Sequence, residues 1–142
     1  MACTSNHVFH NWAQTTTCKP DQYCQPKSEQ AVQQLVQRAL KDGKHVRTVG
    51  AGHSWAPLVL TEDILVNLDQ LNLVASDMTT LRAQAQAGIR LKDLTPQLTD
   101  AGLALANLGS IRGCRGGCNH EFGLRAEPRP GPVGSRLGSI PS

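Results

Sequence analysis

The residues best suited to chemistry lie in one stretch, Val49-Gly50-Ala51-Gly52-His53-Ser54-Trp55. Two glycines one residue apart let a backbone run close to a ligand and turn its N–H groups toward an anion. The neighbouring imidazole is a nucleophile in its neutral form near pH 7. A Rossmann dinucleotide fingerprint would need a third glycine where Trp55 stands, followed by a helix. Pro57 and the lack of a helical period after it disfavour that reading, and no Walker loop is present. Taken alone, Gly-x-Gly-His is equally satisfied by a plain glycine turn with an exposed histidine. A second cluster, Cys114-x-x-x-Cys118-x-His120, offers three zinc-type ligands, with Cys18 or Cys24 as a fourth. Structural zinc prefers tighter, paired spacings, so no metal is expected. The remaining histidines, His7, His10 and His45, match no motif and read, with His120, as surface residues.

The elements that must position the glycine turn follow from hydrophobic period. Gln22 to Gln25 is a short extended run ended by Pro26. Ser28 is a candidate N-cap with Glu29 in the first turn, and Ala31, Val32, Leu35, Val36, Ala39 and Leu40 share one helical face. Gly43, between Lys41 and Lys44, is the stop signal. His45 to Val49 is then a strand leading into the turn, so the region reads strand–helix–strand with parallel strands and a right-handed crossover. Ile64 to Leu68, Leu71 to Ala75 and Leu81 to Gln86 read as further strands. A second helix is predicted over Leu91 to Ala101, with Leu91, Leu94 and Leu98 on one face and Gly102 as its stop. Pro96 lies inside it and is tolerated best near the first turn. The expected class is α+β, a small mixed sheet with two helices.

The chain has 142 residues, is 39% hydrophobic and 18% charged, and carries a formal charge of +3. That composition argues against disorder of the whole. Residues 1–111 hold nine basic and nine acidic side chains, whereas residues 112–142 hold five Arg against two Glu. With a neutral body, a basic stripe for nucleic acid is not expected. No run of 18 apolar residues exists, and the first 11 residues lack the layout of a secretory signal. The five cysteines (Cys3, Cys18, Cys24, Cys114, Cys118) are odd in number, which together with that favours reduced thiols over disulfides. Three zones result: an N-terminal extension, 1–20; a patterned region, 21–111; and a Gly/Arg/Pro-rich tail, 112–142, expected to be irregular and disordered.

Several ordered motifs combine around the turn. They are Asn11-Trp12, Gln25-Pro26-Lys27-Ser28, Val46 to Ser54, Leu65-Val66-Asn67-Leu68-Asp69-Gln70-Leu71-Asn72, Ala87 to Leu94, and Gly102 to Ile111. Together these resemble the N-terminal part of the PCMH-type FAD-binding domain of the vanillyl-alcohol oxidase superfamily. Within it they are most similar to the sugar-1,4-lactone oxidases acting on L-gulonolactone or D-arabinono-1,4-lactone, which implies a place in ascorbate biosynthesis. The resemblance implies FAD as cofactor, with Val49, Gly50, Ala51, Gly52, His53 and Ser54 around it and Ser110 and Ile111 at the approach to a second flavin loop. It also implies covalent attachment of the flavin at His53 and a sugar lactone as the substrate of a full-length relative. Such relatives are often associated with membranes of the endoplasmic reticulum or mitochondrion. After Ile111 the family pattern is not recognisable, and no residue is assigned as catalytic base. Splicing or a frame change, a zinc site and a basic arm are the three readings of that tail, and its aperiodic composition favours the first. The alternative to an active flavoenzyme part is an inactive truncated isoform that binds FAD weakly. Leu103, Leu105 and Leu108 would then border an unfinished surface.

Overall fold

A computed structural model describes residues 3–105 and the backbone of residues 124–128. In chain order the elements are β1 (Cys3–Thr4), β2 (Phe9–His10), β3 (Thr17–Cys18), β4 (Gln22–Cys24), α1 (Glu29–Lys41), β5 (Val46–Val49), β6 (Ile64–Asn67), β7 (Val74–Asp77), β8 (Arg82–Ala85), α2 (Leu91–Asp100), β9 (Leu103–Leu105) and β10 (Leu124–Pro128). The fold is α+β.

Helix α1 forms as its sequence predicts. Ser28 Oγ accepts from the Ala31 amide at 3.2 Å, and Gly43 takes the left-handed conformation (φ 65°) just beyond the C-cap. Only Leu35 and Ala39 of its apolar face are buried; Leu40 is 81% exposed. The narrower stripe reflects what lies beneath, a sheet of short strands that covers little more than one turn's width of the helix. Leu35 and Ala39 pack there with Cys24, Ile64 and Val66.

The first sheet runs β1-β4-β6-β5, with β4 and β5 each parallel to β6 and β1 antiparallel to β4. The strands flanking α1 are thus parallel, as expected, but they are not neighbours, because β6 inserts between them. All four β6 residues are buried, which is the demand of a central strand covered on both faces. Ile64 and Val66 face α1; Leu65 packs on the other side with Phe9 and Val49.

Two expectations for the N-terminal residues are corrected. Cys3 and Cys24 stand opposite each other in the β1–β4 register and form a disulfide, so they are not reduced thiols; Cys18 is free. Pairing across two strands that lie 21 residues apart in sequence is a product of register, which cysteine counting does not see. His7 is half-buried rather than a surface residue, its ring stacked on Tyr23 at 3.8 Å. His10 and His45 are exposed.

The second sheet runs β7-β8-β10-β9, with every pair antiparallel. Its first strand begins at Val74, later than the run Leu71 to Ala75 suggested, because Leu71 is buried in a turn that precedes it. The alternation in β8 holds, with Ala83 buried between exposed Arg82 and Gln84. Leu91, Leu94 and Leu98 of α2 pack with Ala83, Ile89 and Leu103. Leu103 is fully buried there and borders no unfinished surface; Leu105 is half-buried, and Leu108 lies outside the described residues.

Pro96 sits in the middle of α2, not in its first turn, and therefore removes one helical N–H. Neighbouring side chains bond back to the helix, Thr95 Oγ1 donating to the Leu91 carbonyl at 2.8 Å and Gln97 Nε2 to the Asp93 carbonyl at 2.9 Å, whereas the carbonyl that Pro96 leaves without its i+4 donor is that of Lys92. Strand β10 shows that part of the tail expected to be irregular forms a strand between β8 and β9. The rest of residues 112–142, including Cys114, Cys118 and His120, lies outside the described residues.

Two carboxylates, Asp63 half-buried and Asp77 exposed, are hydrogen-bonded in their charged form. Asp63 Oδ2 accepts from the His45 amide at 2.8 Å and from His45 Nδ1 at 3.0 Å. Asp77 accepts from Thr80 Oγ1 at 2.7 Å and from the Thr79 amide at 2.8 Å. These bonds favour the charged form and hold both carboxyls below the ordinary aspartate range. Each therefore stabilises the fold above the unfolded-state value of about 3.9, a contribution lost as pH falls through the lowered folded-state value. In an NMR titration the Asp63 and Asp77 midpoints are expected below about 3.9. Midpoints at or above it would contradict the hydrogen-bonded carboxylates.

Candidate cofactor-binding site

The site is built where β5 ends. Val49 is buried on the sheet's second face and pairs with Asn67, so the chain leaves the parallel neighbours β5 and β6 at the same carboxyl edge. That edge is where open α/β sheets bind ligands, because the loops diverge there. From it the turn Gly50–Ser54 emerges. An added Cβ at Gly50 would meet nothing within 4 Å, so this part of the backbone is open to close approach. Gly52 is left-handed (φ 74°) and packs inward: its Cβ position is 3.4 Å from the Trp12 amide and 3.7 Å from Phe9 Cζ. One glycine thus serves conformation and the other access.

Among the described residues, the amides of Ala51, Gly52 and His53 donate no hydrogen bond. A run of unused backbone donors at a strand's carboxyl end is the chemistry an anionic diphosphate requires. The residues present therefore fit a phosphate-bearing cofactor. His53 is half-buried, and its ring meets Trp12 at 5.2 Å between centroids, tilted by 36°. Ser54 is exposed, its hydroxyl accepting from the Ala56 amide at 3.2 Å. Trp55 and Leu58, each 70% exposed, extend an apolar rim beside the turn. Ser110 and Ile111 lie outside the described residues.

One partner of the turn and two contacts at the junction after β6 have functions that sequence reasoning did not supply. Asn11, only 4% exposed, donates from Nδ2 to the Ser54 carbonyl at 3.2 Å. Arg90 Nη2 donates to both carboxylate oxygens of Asp69, at 3.0 and 2.9 Å, linking the loop after β6 to the start of α2. Gly88 lies against Leu68 in the same junction. All occur in the motifs that carry the resemblance, but their spacing encodes no role, because each acts on a residue distant in sequence. Among the described residues no cluster of three or more metal-ligating side chains occurs, and no helix is long and apolar enough to cross a membrane.

A mixed parallel sheet with a glycine turn at its carboxyl edge, followed by a helix-backed antiparallel sheet, defines the flavin-binding lobe of PCMH-type flavoenzymes. The FAD binding domain family matches residues 20–119, and the chain belongs to that family, whose cofactor is FAD. The match runs past Ile111, beyond the last of the motifs that carry the resemblance. The chain is 42% identical over 112 residues to D-arabinono-1,4-lactone oxidase of Kluyveromyces lactis, covering 75% of this chain and 21% of that protein. It is 36% identical over 123 residues to L-gulonolactone oxidase of Bos taurus, covering 82% of this chain and 28% of that one. Cholesterol oxidase from B. sterolicum shares the fold over 80% of this chain and 23% of its own, with a TM-score of 0.73 at 24% identity. The chain therefore spans between a fifth and a third of these proteins' lengths.

Proposed function

We propose that this chain is the flavin-binding part of an FAD-dependent oxidase acting on a sugar-1,4-lactone, with residues 21–111 as the flavin-binding unit. The observation that carries the lactone is the identity to D-arabinono-1,4-lactone oxidase, 42% over 112 residues and 75% of this chain. When bound, FAD supplies the electron sink that accepts a hydride from a substrate carbon. The chain's part is to hold it. Val49 anchors the turn, and the amides of Ala51, Gly52 and His53 receive the diphosphate. Ser54 closes the turn, and the family resemblance adds Ser110 and Ile111 at the approach to a second flavin loop. A diphosphate there gains charge-assisted hydrogen bonds at no further cost in backbone ordering.

His53 would hold the cofactor covalently. The His53 imidazole would supply the nitrogen that holds the group, and the flavin, when bound, would supply the electrophilic 8α-methyl carbon it joins. The ring's half-buried position beside Trp12 supports this reading, since an immobilised imidazole loses less freedom on bonding.

The test is reconstitution of the chain with FAD followed by acid denaturation. Flavin absorbance is expected to stay with the polypeptide, and His53→Ala is expected to release essentially all of it while still binding FAD when folded. Complete release from the unmodified chain would overturn the covalent assignment. A colourless chain at saturating FAD would overturn the flavin site itself.

A further inference from the structure

We propose that Asn11 and Trp12 are positioning residues, a clamp that sets the Gly50–Ser54 turn in its cofactor-receiving shape before any cofactor arrives. The proposal rests on the flavin reading above and extends it to a segment outside the proposed flavin-binding unit.

Three consecutive turn residues are engaged by these two. The Trp12 amide donates to the Gly52 carbonyl at 2.8 Å. The Trp12 ring lies against the His53 imidazole. Asn11 Nδ2 donates to the Ser54 carbonyl across 43 residues of sequence. Asn11 is itself fully committed. Its Oδ1 accepts from the Thr15 and Thr16 amides at 2.8 and 3.1 Å, and its Nδ2 also donates to Thr15 Oγ1 at 2.9 Å. Two acceptor sites and two donors exhaust what a carboxamide can do. The buried side chain is thus locked by its own loop and presents one remaining N–H to the turn. Trp12 is 68% exposed, so filling the core does not explain its position.

The consequence is preorganisation. A glycine-containing turn is among the most mobile of backbone segments when free, and ordering it on binding would weaken affinity. Here the carbonyls of Gly52 and Ser54 are tied to the N-terminal segment, while the intervening amides donate to no described residue. Segment and turn together form a rigid anion receptor.

Asn11→Asp separates this role from general stability. It keeps the acceptor for the Thr15 and Thr16 amides but replaces the N–H aimed at Ser54 by an oxygen. Thr15→Val is the control, because it removes the other Nδ2 partner and leaves the Ser54 bond in place. Backbone order parameters of residues 50–54 are measured by NMR relaxation on the cofactor-free chain, and FAD is then titrated into each variant. In Asn11→Asp the order parameters are expected to fall from near 0.85 to below about 0.6. The FAD dissociation constant should rise about fivefold, the factor one net hydrogen bond carries. Thr15→Val is expected to change neither. Trp12→Leu should weaken FAD binding by a similar factor, with Trp12→Phe restoring it. Unchanged order in Asn11→Asp, or equal loosening in Thr15→Val, would overturn the clamp. If the order parameters respond as expected but the unmodified chain takes up no FAD, the clamp stands and the flavin reading fails.

Discussion

Replacing Gly88 by alanine is expected to destabilise the chain by about 3 kcal/mol or more, lowering its melting temperature by at least about 10 °C. A Cβ on residue 88 would lie 1.6 Å from the Leu68 carbonyl oxygen, 2.5 Å from its carbonyl carbon and 2.6 Å from the Leu71 oxygen. All three are backbone atoms, so no side-chain rotation relieves the overlap. The turn that follows β6 and the turn that precedes α2 are stacked main chain on main chain. The Gly88 amide donates to the Leu71 carbonyl at 2.8 Å, and the Leu71 amide donates to the Leu68 carbonyl at 2.8 Å. Separating the turns far enough for a methyl group would break the first of these bonds. It would also pull Arg90 from Asp69 and disturb the junction of the two sheets. Usual overpacking costs of about 1–3 kcal/mol arise where side chains can shift, so they set a lower bound here. Thermal unfolding followed by circular dichroism decides the matter. A variant melting within about 2 °C of the parent would show that the junction yields more easily than its geometry implies.

The second large effect is a contrast within one helix. Leu35→Ala is expected to cost about 3 kcal/mol, whereas Leu40→Ala should stay within about 0.5 kcal/mol. Leu35 is 1% exposed, packed among Cys24, Ala39, Ile64 and Val66, and its truncation leaves a cavity that these short strands cannot collapse to fill. Leu40 removes almost nothing from water. Urea denaturation of the two variants gives both numbers with the same baseline. Equal losses would mean that Leu40 is covered in solution by something bound to the outer edge of α1.

Much of this architecture was legible in the sequence because it is local. The helix α1 follows from Ser28, Glu29 and Gly43, each acting within a turn of its own position. The buried stripe of α2 follows from Leu91, Leu94 and Leu98 at spacings of three and four. The alternation of β8 is visible as Ala83 between Arg82 and Gln84. The glycine turn was also legible as a candidate site, since Gly50 and Gly52 directly after a β-branched run restrict what the backbone there can be for. What escaped was relational. The insertion of β6 between β4 and β5 depends on which strand is covered on both faces, and so short an apolar run does not announce its neighbours. The Cys3–Cys24 bridge depends on register, and the shift of β7 depends on a turn that buries Leu71.

By itself, then, the sequence determined the types of the two helices and of the strands β4 to β8, the position of the glycine turn at the end of β5 and the family that its motifs resemble, because those rest on periods and spacings within a few residues. Only the tertiary structure decided what holds that turn. Asn11 reaches Ser54 across 43 positions and Trp12 meets His53, while at the junction after β6 Gly88 admits Leu68 at a distance no side chain would allow. Such contacts are made by the folding of distant segments onto one sheet edge, and a linear pattern carries no trace of the distance that closes between them.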